Sequence, residues 1–435
     1  MEEVSDAELL AAGRLGRMLD CADGGARRPV GADLIRWCCL ELKDQIDARG
    51  LQFQHASVRG PVDLAGLDVP FPLRFEGCEF DSALLAENAR LRELALTGSA
   101  ALPGLLANGL HVRGDLDLSR SRVAGAHPTS ASITRQSAIW LCEADIGGRL
   151  LCLDTRISAG GERAIQADRM RVGGTVRLLH QFTALGEARL LGARIGGSLD
   201  VAGARTESPG RTALDLGDAS IGGNLFITDD PTGRRPVIRG RLDMGSARIS
   251  GQFLVRNATL EGARTAPADL GAVTLSLHQA TVRGSVVLSR GFTSTGLVVL
   301  TRSTLTGRLE CDRGWFDCPA PHEGNEQGHA IEAVSASVRG GMDLSWTRAS
   351  PSVDLTNAST TFLADDPASW PERILISGFS YDRFEPSRRA DPAGAWDHRT
   401  RSAWLARQAV TTRAPMSRRP GCSGSTATPA PPRAS

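Results

Sequence analysis

The 435-residue chain is poor in lysine and in aromatic residues. Lys43 is its only lysine, Tyr381 its only tyrosine, and aromatic residues make up 5% of the composition. The formal net charge is +1, so the chain as a whole offers no electrostatic case for nucleic-acid binding. Because nearly all the basic charge is arginine, we interpret it as a GC-rich coding bias and not as phosphate recognition.

Targeting and membrane-spanning segments are also missing from the sequence. No apolar run reaches 18 residues, and no basic segment followed by an apolar core opens the chain. The nine cysteines are scattered and odd in number. These features predict a cytoplasmic protein with free thiols.

Motifs that carry common chemistries are absent as well. The sequence contains no G-x-G, no G-x-S-x-G, no C-x-x-C and no H-E-x-x-H, and its single lysine does not lie in a Walker loop. We therefore predict no catalytic residues, no cofactor-binding residues and no cofactor.

An eleven-residue pattern of the form L-x-L-x-x-A-x-I-x-G-x runs from about Leu51 to Thr360. Apolar residues alternate with polar ones at positions one and three of the pattern and again at positions six and eight. This alternation is typical of short, half-buried strands. The pattern predicts an all-β fold, a β-solenoid (β-helix) of eleven-residue half-coils with about 22 residues per coil. We expect the glycine to supply positive φ at a corner, and the small sixth residue to let the chain approach the core.

The pattern also divides the chain. Residues 1–50 are predicted to form a helical N-terminal cap, helical from Asp6 to about Asp47 with Asp6 as N-cap. The solenoid occupies 51–381, with insertions at Glu207–Thr212, Asp229–Pro236 and Cys318–Gly328. A short helical segment at 382–408 precedes a disordered basic tail at 409–435.

A few polar residues invite a functional interpretation. Four weak metal candidates share a side-chain chemistry that ligates zinc but no standard spacing: Cys311, Cys318, His322 and His329. We predict no metal site there, and we interpret Cys311, like Cys78 and Cys152, as an inward-facing core residue.

Arginine and aspartate recur on either side of a glycine, as in Arg59 and Asp63 or Arg339 and Asp343. We predict that these pairs form a ladder of surface ion pairs. A carboxylate row that binds a cation or a sugar is the alternative, and the interposed arginines argue against it.

Several stretches carry a resemblance to known proteins: GADLIRWCCLELK, LQFQHASVRGPVDL, PLRFEGCEF, GARIGGSLDVAGA and ISGFSYDRF. Over roughly residues 30 to 408 the chain resembles an actinobacterial family of pentapeptide-like repeat proteins. The resemblance implies a bacterial β-solenoid, and some members carry the name "membrane-associated oxidoreductase". In such relatives the last stretch precedes a helical hairpin, so we hypothesise that the tail here is frameshifted or divergent.

These observations favour a non-catalytic scaffold or protein-interaction module, with an unknown protein partner and no nucleic acid. The alternative is an oxidoreductase, as the family name implies, or a carbohydrate-active enzyme, with its site built by the insertions Asp229–Pro236 and Cys318–Gly328. A third hypothesis is peripheral membrane contact through the basic tail or the N-terminal helices.

Overall fold

The chain winds into a four-sided solenoid of parallel strands, which confirms the predicted fold class. The structure, a computed structural model, describes residues 2–125, 137–262, 273–318, 328–367, 369–385 and 397–408. A typical coil contributes a strand to each of four faces, some strands continue from one face to the next, and the strands of the solenoid pair in parallel with their counterparts in the neighbouring coils.

The eleven-residue units map onto these faces in pairs. The unit that begins at Leu242 supplies face 4 and, after a tight turn, the strand Arg248–Ile249 of face 1. The next unit supplies Phe253–Arg256 on face 2 and Thr259–Glu261 on face 3. Two units therefore complete one coil.

The strands are grouped here by face. Face 1 alone holds His111–Val112, Asp145–Ile146, Arg171–Val172, Arg194–Ile195, Ser220–Ile221, Arg248–Ile249, Thr281–Val282, Thr304–Leu305 and Ser337–Val338. Face 2 alone holds Met18–Asp20, Leu51–Gln54, Leu116–Asp117, Leu150–Leu151, Val176–Arg177, Leu199–Asp200, Leu225–Ile227, Phe253–Arg256, Val286–Ser289, Leu309–Glu310 and Met342–Asp343. Strands that span faces 1 and 2 are Asp68–Glu76, Arg90–Thr97, Ser359–Ala364 and Ser380–Phe384.

The other two faces are built in the same way. Face 3 alone holds Pro29–Gly31, Ser57–Arg59, Glu79–Phe80, Arg122–Val123, Thr259–Glu261, Thr293–Thr295, Trp315–Asp317 and Arg348–Ser350. Face 4 alone holds Leu84–Leu85, Leu105–Leu106, Ser137–Trp140, Val273–Ser276, Leu297–Val299, Ile331–Glu332, Ser352–Asp354 and Arg373–Leu375. Strands that span faces 3 and 4 are Arg156–Gln166, Thr183–Arg189, Arg205–Asp215 and Val237–Asp243, and a small hairpin joins Ala22–Asp23 to Ala26–Arg27.

Coil length varies around the predicted value. Val338 pairs with Thr360, 22 residues later, whereas Val112 pairs with Ile146, 34 residues later. The predicted insertion at Glu207–Thr212 is not a loop, because it lies inside the continuous strand Arg205–Asp215 and is absorbed as a register shift. The segment Asp229–Pro236 does loop out, and residues 319–327 of the third insertion lie outside the described residues.

The corner glycines differ from the expectation. Gly196 and Gly222, between faces 1 and 2, do not have positive φ, but a Cβ at Gly222 would collide with the carbonyl oxygen of Gly196 one coil below. Glycine is needed there for close approach between coils. Positive φ occurs instead mainly at the turns after faces 4 and 2, where Asp218 and Asn257 adopt it, as do fourteen others of the described non-glycine residues.

The N-terminal segment is a mixed cap and is not helical throughout. Helix α1 spans Asp6–Leu15, helix α2 spans Ala32–Leu40, and a short 3-10 turn follows at Lys43–Gln45. Ser5, not Asp6, caps α1, because its hydroxyl accepts a hydrogen bond from the Glu8 N–H. Between the helices, Met18–Asp20 and Pro29–Gly31 add rungs to faces 2 and 3.

The C-terminal end is closed by aromatic packing. Helix α3 spans His398–Ala406, inside the predicted helical segment, and places buried Trp404 against Trp370 with ring centroids 5.1 Å apart. The contacts continue inward through Trp346 and Phe316. Among the described residues no helix is long and apolar enough to cross a membrane.

Candidate anion groove on face 1

Face 1 exposes a row of arginines because its strands are only two residues long. In each strand the second residue is a buried Ile, Val or Leu, so the first must point outward. Arg171, Arg194 and Arg248 occupy this outward position, and Arg283 lies just beyond the buried Val282. All four side chains belong to exposed residues.

The arginines are aligned along the solenoid axis. Arg171 pairs directly with Arg194, Arg194 with Ser220, and Ser220 with Arg248. Arg308 and Arg339 continue the series near the corner with face 2, where the Arg308 guanidinium lies over the Phe362 ring, 4.8 Å from its centroid. With strands about 4.8 Å apart, the seven rungs from Arg171 to Arg339 extend about 30 Å.

No carboxylate interrupts this series. The outward and corner positions of the seven rungs hold only arginine, glycine, serine, threonine, asparagine and glutamine. Within the described chain, Arg171, Arg194, Arg248 and Arg283 form no ion pair or side-chain hydrogen bond. The adjacent corner does hold Glu143 and Asp218, and Glu143 is paired with Arg169 at 2.5 Å.

Between the arginines the surface is recessed. A groove of about 540 Å³ is lined by arginines 194, 248 and 283, by hydroxyl side chains and by the corner glycines. The hydroxyls are those of Ser220, Ser250 and Thr281. Gly196 and Gly222 form the floor, because a Cβ on Gly222 would collide with the Gly196 carbonyl oxygen. Ser250 occupies the equivalent corner of the next coil.

Hydrogen bonds between coils hold the edge of the groove. The Gly222 N–H donates to the Ile195 carbonyl and the Gly223 N–H to the Gly197 carbonyl, both at 2.8 Å. Beside them the Ser198 hydroxyl accepts from the Asn224 N–H, and the Asn224 side-chain oxygen accepts from the Gln252 N–H. The groove is therefore a preorganised surface, fixed before any ligand arrives.

A smaller recess of similar chemistry lies on face 3. It has a volume of about 370 Å³ and is lined by Arg122, Arg156 and Ser158 together with small apolar residues. Arg122 and Arg156 pair in register on neighbouring rungs. Only two arginines meet there, so this recess presents a shorter cationic surface than the face 1 groove.

Two arginines of face 4 are compensated by carboxylates. On face 4, Arg189 contacts Asp168 at 2.8 Å and Asp215 at 3.0 Å. Nearby, Arg163 contacts Glu187 at 2.9 Å. Burial raises the pKa of Asp215 and of Glu187, although Arg189 and Arg163 respectively oppose the shift. Because each of these carboxylates already has a guanidinium partner, we interpret this cluster as structural.

The predicted Arg/Asp ion-pair ladder is wrong in its partners. Asp63 pairs with Arg36 at 3.1 Å and not with Arg59, and Asp243 pairs with Arg241 at 2.8 Å. These aspartates also accept a hydrogen bond from the backbone N–H two residues later, as Asp63 does from Ala65 at 3.0 Å. Their position reflects turn formation, a local role that aspartate favours.

The weak metal candidates do not form a described site. Cys311 and Cys318 are buried, and the Nδ1 atom of buried His329 lies 2.8 Å from the Ser352 hydroxyl. His322 lies outside the described residues. In the part of the chain that the structure describes, no three His, Cys, Asp or Glu side chains are placed to hold a metal ion.

The inward cysteines are core residues, as predicted. Cys78, Cys152 and Cys311 are each at most 1% exposed. Burial raises the pKa of Cys78 to about 12 and raises the pKa values of Cys152 and Cys311 as well. A nucleophilic cysteine needs the opposite shift, so these three thiols are poorly suited to that chemistry.

Comparisons with known proteins do not add to the site: no family model, no curated protein and no solved structure matches the chain. The resemblance to actinobacterial repeat proteins therefore remains a prediction.

Sequence reasoning missed the groove. Its signal was present as the recurring arginine before a buried Ile or Val, together with the absence of acidic residues at the same outward positions from Arg171 to Ser337. That absence becomes meaningful only when residues 23 to 33 apart in sequence are known to be neighbours.

Proposed function

We propose that this chain is a non-catalytic binding module that holds an anionic partner along the groove on face 1. The observation that carries the proposal is the row of exposed arginines without ion pairs, Arg171, Arg194, Arg248 and Arg283, over a glycine floor. Arginine offers five donors in a rigid fork that matches carboxylate and phosphate oxygens.

The arginine row also affects the stability of the protein. Like charges directly opposite on neighbouring strands are destabilising, so we expect the Arg171–Arg194 pair to cost stability, and Asp145, in register on the other side of Arg171, to offset part of that cost. An anionic partner removes that cost by supplying the missing opposite charge. The groove needs no conformational change to bind, because its backbone is fixed by hydrogen bonds between coils.

Retention on immobilised dextran sulfate, eluted with a salt gradient, tests this proposal. We expect wild-type protein to be retained and the double variant Arg194→Ser/Arg248→Ser to elute at clearly lower salt. Serine is chosen because Ser220 already occupies the same row. Arg234→Ser/Arg235→Ser, in the loop 229–236, removes the same charge and is the matched control, expected to elute like wild type.

Two results would reject the proposal. In one, wild-type protein passes through without retention. In the other, the double variant is retained as strongly as wild type, which assigns binding to some other basic segment, such as the predicted arginine-rich tail. Circular dichroism of each variant checks that the fold is intact.

We also propose that the module works in a reducing compartment, since Cys21, Cys78 and Cys152 are buried free thiols. The oxidoreductase alternative stays a prediction, because most of the insertion Cys318–Gly328 lies outside the described residues.

A further inference from the structure

We infer that the anionic partner is a linear phosphate polymer, inorganic polyphosphate, lying along the solenoid axis in the groove on face 1. This inference rests on the proposed function and adds the chemical class of the ligand. It departs from the composition-based interpretation that arginine here only reflects coding bias.

The first argument is the donor chemistry of the lining. Its side chains are arginine guanidinium groups, which only donate, and Ser and Thr hydroxyls, which can donate. No carboxylate or amide side chain lines the recess. A ligand rich in hydroxyl or N–H donors, such as a sugar chain or a peptide backbone, finds few acceptors there. A phosphate chain presents only acceptors.

The second argument is the lack of apolar and aromatic contact surface in the groove. The apolar residues among its lining, Ile195, Ile221 and Ile249, are at most 2% exposed. Protein partners are usually anchored by buried aromatic or large apolar side chains. Single-stranded nucleic acids stack their bases on aromatic side chains. The groove offers neither of these anchors, whereas a phosphate chain requires neither.

The third argument is geometric. The six arginines from Arg171 to Arg339 are distributed along about 30 Å of one edge, on rungs about 4.8 Å apart. A single phosphate or a nucleotide reaches only one or two of them. An extended chain with a charge on every unit contacts all of them, and each further contact adds to the effective affinity.

Arginine's bidentate geometry strengthens the assignment. A guanidinium fork donates two parallel hydrogen bonds to two oxygens of one phosphate, which fixes orientation as well as charge. Arg194 and Arg248 flank Ser220, whose hydroxyl is available to donate to a phosphate held between them. We therefore expect Arg194 and Arg248 to carry more of the binding than Arg339 at the far end.

Isothermal titration calorimetry of the full chain with polyphosphates of defined length tests the inference. Long-chain polyphosphate is expected to bind at least about tenfold more tightly than tripolyphosphate, which is too short to bridge the row. Arg194→Ser/Arg248→Ser is expected to lose at least about tenfold in affinity for the long chain, and Arg234→Ser/Arg235→Ser, which removes the same charge, is expected to bind like wild type.

Poly-glutamate and single-stranded DNA of similar charge are titrated under the same salt conditions. Tighter binding of either polymer, or equal affinity for short and long polyphosphate, would overturn the ligand assignment. If dextran sulfate is still retained through the groove in that case, the proposed function stands and only the ligand class is wrong. If no polyanion binds through the groove, both fail.

Discussion

Faces 1 and 4 are built from the same eleven-residue units, yet they place arginine among different neighbours. On face 4, Arg189 lies in register with Asp215 on the next rung. On face 1, Arg171 lies in register with Arg194, and no carboxylate occupies the outward positions from Arg171 to Ser337, although Asp145 is the register partner of Arg171 on the preceding rung. The parallel ladder is the same in both cases. The difference therefore lies in the outward residues: the arginines of face 4 have carboxylate partners within the protein, whereas those of the face 1 row do not, which is the basis of the proposed anionic partner.

The largest expected effect comes from removing a compensated arginine. Arg189→Ala leaves Asp168 and Asp215 without their guanidinium, and the Asp215 side chain is only 11% exposed. We expect a loss of about 2–3 kcal/mol in the free energy of unfolding, measured by urea titration. Arg194→Ala is the face 1 counterpart and is expected to show no loss. Equal losses in the two variants would contradict the distinction between the faces.

The second effect concerns the groove floor. In Gly222→Ala the new Cβ meets the Gly196 carbonyl oxygen, so the coils must move apart or the strand must shift. We expect a loss of about 1–3 kcal/mol, together with weaker polyanion retention because the floor is raised. Ser250→Ala, at the equivalent corner position of the next coil, is the control and is expected to be nearly neutral. A fully stable Gly222→Ala protein would show that the corner is looser than the hydrogen bonds indicate.

The third effect is a pH dependence that belongs to face 4 and not to face 1. Burial raises the folded-state pKa of Asp215 above its ordinary 3.8. The stability that protonated Asp215 contributes is fully present below pH 3.8 and is lost as the pH rises through the raised folded-state pKa. Asp215→Asn removes this titration, so its free energy of unfolding is expected to fall less than that of wild type as pH rises above 3.8.

Asp115 provides the control of opposite sign. Burial raises its pKa, but hydrogen bonds from the Arg149 side chain and backbone outweigh burial and lower the pKa overall. Its contribution is present above 3.8 and is lost as pH falls through the lowered value. Asp115→Asn is therefore expected to change the pH dependence only below 3.8. Groove binding depends on arginines, which stay charged, so retention on dextran sulfate is expected to be constant between about pH 5 and 8.

Much of the fold was predictable from the sequence because period-two alternation has only one structural meaning at this strand length. The buried positions of Leu242, Ala247 and Ile249 follow directly from the repeat. The role of the corner glycines was not predictable, since a close approach between Gly222 and Gly196 depends on coil stacking and not on local φ. The N-terminal strands were missed because Met18–Asp20 and Pro29–Gly31 carry no full copy of the pattern.

The groove illustrates the same limit for function. The arginines were visible one by one, but the ion-pair interpretation assumed that Arg59 meets Asp63, four residues away. In a solenoid the relevant neighbours are a full coil away, as Arg171 and Arg194 are. Side-chain compensation can be judged only after the register between coils is known.

The smallest expected effect is a change in stability on replacing one arginine of face 1, and it tests most directly whether faces 1 and 4 differ. Arg194→Ser removes the like-charge contact with Arg171 and leaves serine, which the next rung already tolerates at Ser220. We expect a slight rise in the urea midpoint at low salt, because repulsion on face 1 is relieved. The rise is expected to vanish at high salt, where exposed charges are screened. If the variant is more stable and binds polyanion less well, the arginine row lowers the stability of the fold and serves binding. A purely structural row would not lower the stability of the fold. A loss of stability would instead mean that Arg194 supports the fold, and the contrast with Arg189 would then be one of degree.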